Sequence, residues 1–171
     1  IFIIERTFQP CSSQLSVIEN ADSYLMLHRI KKKADVNKDK WIGIGGKFEK
    51  GESPEDCLLR EAREETGLTL TDYRLRGVLT FICDPWESEC IFLYTATGYE
   101  GKLTDCPEGT LEWVRKNEIH KLNLWEGDKI FFKLLNENYP VFSLKLVYEN
   151  GNQLTEVVLD GRKLKIADYT K

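Results

Sequence analysis

Glu61, Glu64 and Glu65 stand within five residues of one another in the stretch GGKFEKGESPEDCLLREAREETG, Gly45 to Gly67, and the segment that carries them is marked as a helix at both ends. Ser53 is a good N-cap, Pro54 fits the first helical position, Asp56 can answer Ser53 as a capping-box variant, and Gly67 supplies the left-handed stop. Like charges three and four apart cost an isolated helix about 0.2–0.5 kcal/mol per pair, so the crowding calls for a neutralising partner. At about 100° per residue the three acids fall within a roughly 100° arc, while Leu58, Leu59, Ala62 and Thr66 gather on a different side. The helix is predicted to bury that stripe and to present its acids from another face. Arg60, one turn before Glu64, can hold that carboxylate in place or form an ordinary surface pair with it.

The rest of the chain surrounds this helix with strands. Residues 14–19 and 23–30 read as a hairpin around Asn20-Ala21-Asp22, followed by a charged loop, KKKADVNKDK, with five lysines. Residues 73–83 and 89–99 read as two strands split by Asp84-Pro85-Trp86-Glu87, and a short strand is predicted around 111–114. Helical pattern follows at 118–122 and 127–135. The tail alternates on both sides of Asn150-Gly151, a strong hairpin signal. Strands interleaved with two or three helices give an α/β (or α+β) class, a mixed sheet with helices on its faces. With no repeat or linker, residues 1–171 are expected to form one domain. Met26 is the only methionine, so Ile1 is read as no natural start and IFIIERTF carries no functional weight.

Composition narrows the function classes. A chain that is 42% hydrophobic and 30% charged is expected to be globular, and no apolar run approaches the ~18 residues of a membrane helix. A cytoplasmic location is the expectation. The five cysteines are odd in number and lack a C-x-x-C pair, which favours reduced, packed thiols over a zinc site or disulfide framework. A formal charge of -4 argues against gripping a polynucleotide, yet is compatible with a phosphorylated small molecule when divalent cations stand between.

Spacing then discriminates among the remaining readings. Gly46, Glu52, Arg60, Glu61, Ala62, Glu64, Glu65, Gly67 and Leu68 follow the pattern G-x5-E-x7-R-E-U-x-E-E-x-G-U, which resembles the Nudix hydrolase signature. Its seven fixed positions match by chance on the order of 10⁻⁸ per start site. Ala62 is small where an aliphatic residue is usual, a matter of packing. The resemblance implies a Nudix-type α/β/α sandwich with a mixed sheet and a loop-helix-loop that binds Mg2+ (or Mn2+) to cleave a nucleoside diphosphate linked to another group. By that match Glu61, Glu64 and Glu65 are metal ligands helped by the Gly45 carbonyl, Glu52 is an auxiliary ligand or orienting partner, and Arg60 positions a carboxylate. Glu64 and Glu108 are the candidates for taking a proton from the attacking water; Glu108 reads equally as a turn residue.

The resemblance extends to the MutT-type subgroup, which includes enzymes of oxidised purine nucleoside triphosphates, through WIGIGGKFEKGE and LNLWEGDKIFFKLL. It implies Trp125 as a stacking wall and Asp128 as the base reader, against core packing for the one and a helix N-cap for the other. Phe131 and Phe132 are expected in the core. Arg29 is read either as a solvated edge residue or as a phosphate or sugar contact, and Lys47 either pairs with Glu52 or meets a phosphate. Ile42 stands where the animal enzymes carry an amide, and Gly127 where they carry a second carboxylate. The expected activity is a Mg2+-dependent pyrophosphohydrolase of a purine (deoxy)nucleoside triphosphate, with 8-oxo-dGTP a candidate substrate. ADP-ribose, a dinucleoside polyphosphate, or nucleotide binding without catalysis are the alternatives. The expected partner is a small nucleotide, with no polynucleotide or membrane, for a monomer or homodimer.

Overall fold

The computed structural model describes residues 11–31, 35–84 and 88–169; the opening IFIIERTF, the middle of the lysine loop and the 85–87 turn lie outside the described residues. Strands β1 (Cys11–Glu19) and β2 (Ser23–His28) form the predicted hairpin, with Asn20 Oδ1 accepting from the Asp22 and Ser23 amides at 3.2 and 2.9 Å. Two short strands, β3 (Trp41–Ile42) and β4 (Ile44–Lys47), follow in the glycine-rich WIGIGGK and were not expected there. Helix α1 (Pro54–Thr66) starts and stops where the caps require. β5 (Thr69–Cys83) and β6 (Glu89–Glu100) are longer than predicted, and β7 is Thr110–Arg115. The helical pattern near 118–122 is a 3₁₀ segment, Lys116–Lys121. Helix α2 (Glu126–Asn136) is N-capped by Trp125, so Asp128 sits inside the first turn and is not the cap. β8 (Phe142–Glu149) and β9 (Gln153–Leu159) turn at Asn150 and Gly151, whose positive φ values of 51° and 82° suit that pair of residues. A last strand, β10, spans Arg162–Lys163.

The ten strands of the described residues belong to one sheet in the order β10-β9-β8-β5-β6-β1-β2-β3, with β4 added to β1 and β7 to β2. The sheet is mixed: β1 runs parallel to β6 and β5 parallel to β8, while the other pairs are antiparallel. Alternation along β1 sends Val17 to one face and Ile18 to the other. On the Ile18 side, Leu58 and Ala62 of α1 pack with Leu25, Leu27 and Ile44. On the Val17 side, Ile130, Phe131 and Phe132 of α2 pack with Leu79, Leu93, Leu144 and Leu146. A helix on each face of a mixed sheet is the expected α/β/α sandwich. Among the described residues no helix is long and apolar enough to cross a membrane. Cys57, Cys83 and Cys106 are free and buried, and Cys90 is free and half-buried.

Candidate active site

The loop from β4 into α1 gathers the signature residues around one guanidinium. Arg60 grips Glu52 with both edges of its fork, Nε to Oε1 at 2.6 Å and Nη2 to Oε2 at 2.9 Å. Its Nη1 donates to Glu61 Oε1 at 2.7 Å and to Glu64 Oε2 at 3.3 Å, and Nη2 reaches the Lys47 carbonyl at 3.2 Å. The bond from Arg60 holds the Glu52 carboxyl down at about 2, and the same contacts push the Arg60 pKa upward. Arg60 thus neutralises two of the three crowded acids, Glu61 and Glu64, along with Glu52, and leaves Glu65 to other partners. Lys47 enters the cluster through its backbone, while Glu52 also accepts the Glu49 amide at 2.7 Å.

The helix does not present its acids as one exposed arc. Glu64 is 62% exposed, but Glu65 turns inward to 5% exposure, whereas Leu59, expected in the buried stripe, is exposed. The inner stripe is Cys57, Leu58, Ala62, Glu65 and Thr66. The reason is β4, whose backbone offers Glu65 a donor: the Gly45 amide bonds its Oε2 at 3.1 Å. Burial nonetheless raises the Glu65 pKa to about 8, with that amide opposing the shift and Glu61 and Glu108 adding to it. Gly46 lies against the other carboxylate, since a Cβ there would stand 2.2 Å from Glu61 Oε1.

From the β7 side Glu108 approaches Glu65 and pairs with Arg29 Nη1. Arg29 is therefore no solvated edge residue; its guanidinium is shared with Asp35, 2.7 Å from both Nε and Nη2. A cavity of about 240 Å3 beside Glu108 is lined by Lys31, Thr104, Asp105, Cys106 and Gly109.

The second predicted segment forms the start of α2 and its N-cap. The Trp125 indole is 8% exposed, with its N–H on Asn37 Oδ1 at 2.8 Å, Lys40 Nζ 5.2 Å from its ring centre, and Phe81 and Tyr148 at 5.8 and 5.3 Å in edge-on contact. Asp128 is half-buried, and desolvation lifts its carboxyl to about 7 against the pull of Lys40. The Tyr148 hydroxyl accepts the Gly127 amide at 2.7 Å, and a Cβ at 127 would meet that oxygen at 2.7 Å and Leu146 at 2.5 Å. No side chain larger than hydrogen fits at 127 without repacking. Phe131 and Phe132 are core residues, as expected. Asp35, Asn37 and Lys40 were not singled out by the sequence, where they are only part of a charged loop.

The donors suit a hard divalent ion in kind, being carboxylate and carbonyl oxygens. Glu65 in particular is a buried carboxylate whose one hydrogen bond among the described residues comes from the Gly45 amide, an arrangement that a cation would relieve. Among the described residues no three acids, histidines or cysteines are already drawn around one point; Arg60 lies between Glu52, Glu61 and Glu64.

The chain is similar to known proteins over most of its length. A model described as the NUDIX domain matches residues 12–135. An uncharacterized Nudix hydrolase of Bacillus subtilis is 30% identical over 154 residues, 87% of this chain and 94% of that protein. The oxidized purine nucleoside triphosphate hydrolase of Mus musculus is 31% identical over 106 residues, 61% of this chain and 67% of that protein. The crystal structure of a mutator MutT protein from Bacillus halodurans superposes with a TM-score of 0.78 at 29% identity, covering 88% of this chain and 97% of that one.

Proposed function

The chain belongs to the Nudix family, hydrolases of phosphoric anhydride bonds, and from that premise we propose that it is a Mg2+-dependent pyrophosphohydrolase turning a purine (deoxy)nucleoside triphosphate into monophosphate and pyrophosphate. The observation that carries this reading is the clasp of Arg60 on Glu52, Glu61 and Glu64 beside the buried Glu65, which concentrates hard oxygen donors on one loop-helix edge. Nudix hydrolases work with a divalent metal on small nucleotides. Here Glu61, Glu64, Glu65 and the Gly45 carbonyl would hold the ion, with Glu52 in support. When bound, it offsets phosphate charge and makes a coordinated water more acidic.

The chain's own groups supply the rest. Water forms a new P–O bond as the anhydride P–O bond breaks, pyrophosphate carries off the bonding electrons, and the water's proton passes to a carboxylate. Glu64, the exposed acid of the cluster, is the first candidate and Glu108 the second. Arg60 keeps three carboxylates in register. Trp125 and Asp128 form the base end, where a partly enclosed carboxyl near pH 7 can exchange hydrogen bonds with a purine edge. With position 127 filled by Leu146 and Tyr148, one carboxyl reads the base, and 8-oxo-dGTP is one substrate to set beside ordinary purines.

The test is a panel of 8-oxo-dGTP, dGTP, dATP and ADP-ribose with Mg2+ and with Mn2+, the products resolved by anion-exchange chromatography. Purine triphosphates should be cleaved to monophosphate and pyrophosphate, and Glu64→Gln should lower turnover by roughly 10²–10⁴ while the thermal midpoint holds. Preferred cleavage of ADP-ribose, or a Glu64→Gln enzyme of near-normal turnover, defeats the respective assignment.

A further inference from the structure

Building on the reading of Trp125 as the base wall, we propose that Asn37 and Asp35 are positioning residues that fix the indole and tie it to Glu108, making the base end and the phosphate end one connected unit. The connection is continuous. The Trp125 N–H donates to Asn37 Oδ1 at 2.8 Å, and the Asn37 backbone N–H donates to Asp35 Oδ1 at 2.9 Å. Asp35 Oδ2 takes the Arg29 fork, with Nε and Nη2 both at 2.7 Å, and the remaining arm of that fork, Nη1, pairs with Glu108. The Asp35, Arg29 and Glu108 side chains are 7, 11 and 18% exposed, so these three links of the path are largely withdrawn from solvent.

Elementary chemistry makes the path specific. An indole N–H is a donor only, and in a nearly closed site it is oriented by whichever acceptor it finds. A guanidinium in a two-sided ion pair loses freedom in the plane of its fork and so fixes both partners. The backbone clamps the same segment: the Arg29 amide donates to the Lys40 carbonyl at 2.9 Å, the Asp39 amide to the Arg29 carbonyl at 2.8 Å, and Asn123 Nδ2 to the Asp39 carbonyl at 2.9 Å. Lys40 Nζ, bonded to Asn123 Oδ1 and the Leu124 carbonyl at 3.0 and 3.1 Å, lies over the Trp125 ring. Residues 35–40 therefore brace the segment that ends in Trp125, and the brace is anchored at the far side on a candidate catalytic acid.

The experiment is a comparison of kcat and KM for dGTP hydrolysis with Mg2+ in Asn37→Leu, Asn37→Asp, Asp35→Asn and Trp125→Leu. Asn37→Leu should raise KM about tenfold with kcat nearly unchanged, and Asn37→Asp, which keeps an oxygen for the indole, should stay near wild type. Asp35→Asn, which releases the Arg29 fork, should lower kcat as well. A raised KM in Trp125→Leu beside unaltered KM in both Asn37→Leu and Asp35→Asn overturns the brace while leaving the base wall standing. An unchanged KM in Trp125→Leu overturns the base wall and the brace with it. Equal effects of Asn37→Leu and Asn37→Asp also overturn the brace, because its basis is the oxygen acceptor.

Discussion

Asp128 illustrates how one side chain carries both a cost and a use. Burial lifts its carboxyl to about 7 in the folded protein, whereas an unfolded aspartate titrates near ~3.9. The folded state therefore binds the proton more tightly, so the contribution to stability is full below about pH 4 and is lost as pH rises through about 7. Asp128→Asn should accordingly gain thermal stability over wild type progressively between about pH 4 and pH 7 and hold a level advantage above, which melting curves across that range will read. Equal pH profiles for the two proteins contradict the burial. The opposite case is Glu52, whose carboxyl is held down by a two-point grip from Arg60. Replacing that guanidinium with the single ammonium of a lysine keeps the charge and loses the fork, the feature that organises three acids at once.

At the scale of the element, α1 is specified by its ends. Ser53 Oγ accepts the Asp56 amide at 3.1 Å, Asp56 Oδ2 returns a bond from the Ser53 amide at 3.0 Å, and Gly67 closes the helix at φ 77°. Ser53→Ala should cost about 1 kcal/mol. Gly67→Ala should cost more, roughly 2 kcal/mol, because it adds left-handed strain to a Cβ that would lie 2.7 Å from Thr104 Cγ2 and 2.8 Å from the Lys102 carbonyl. Urea midpoints for the two variants give the comparison, and a smaller shift for Gly67→Ala contradicts the packing described. These cap residues are local signals, which is why α1 was legible in the sequence, as were the 20–22 and 150–151 turns. β3 and β4 were not, because β3 is only two residues long and glycine disfavours strands in β4, so their order comes from pairing with β2 and β1, distant in sequence. Gly45 and Gly46 are glycines for a tertiary reason: a Cβ on them would meet the Gln14 carbonyl at 2.1 Å and Glu61 at 2.2 Å. The site divides the same way. The acids and Arg60 were readable from spacing, while the inward turn of Glu65 and the contacts of Asp35 and Asn37 depend on partners brought in by the fold.

Over the whole molecule, the family match ends at residue 135, yet the core under α2 needs the strands beyond that point. Phe142, Leu144, Leu146, Tyr148, Leu154, Val157 and Leu159 all belong to the same buried cluster as Ile130 and Phe131. A chain ending after Asn138 would leave that face of α2 uncovered and the β5 edge unpaired. It should show no cooperative thermal transition and should elute as aggregates in size-exclusion chromatography; a folded, monomeric fragment contradicts the stated role of β8 and β9. The two parallel pairings have a consequence for synthesis. Residues 11–18 meet 89–96, and 77–83 meet 142–148, so strands that leave the ribosome early find their neighbours only much later. Until then the nascent polypeptide carries open strand edges, the kind of surface that invites pairing with the wrong strand during the interval between making β1 and making β8.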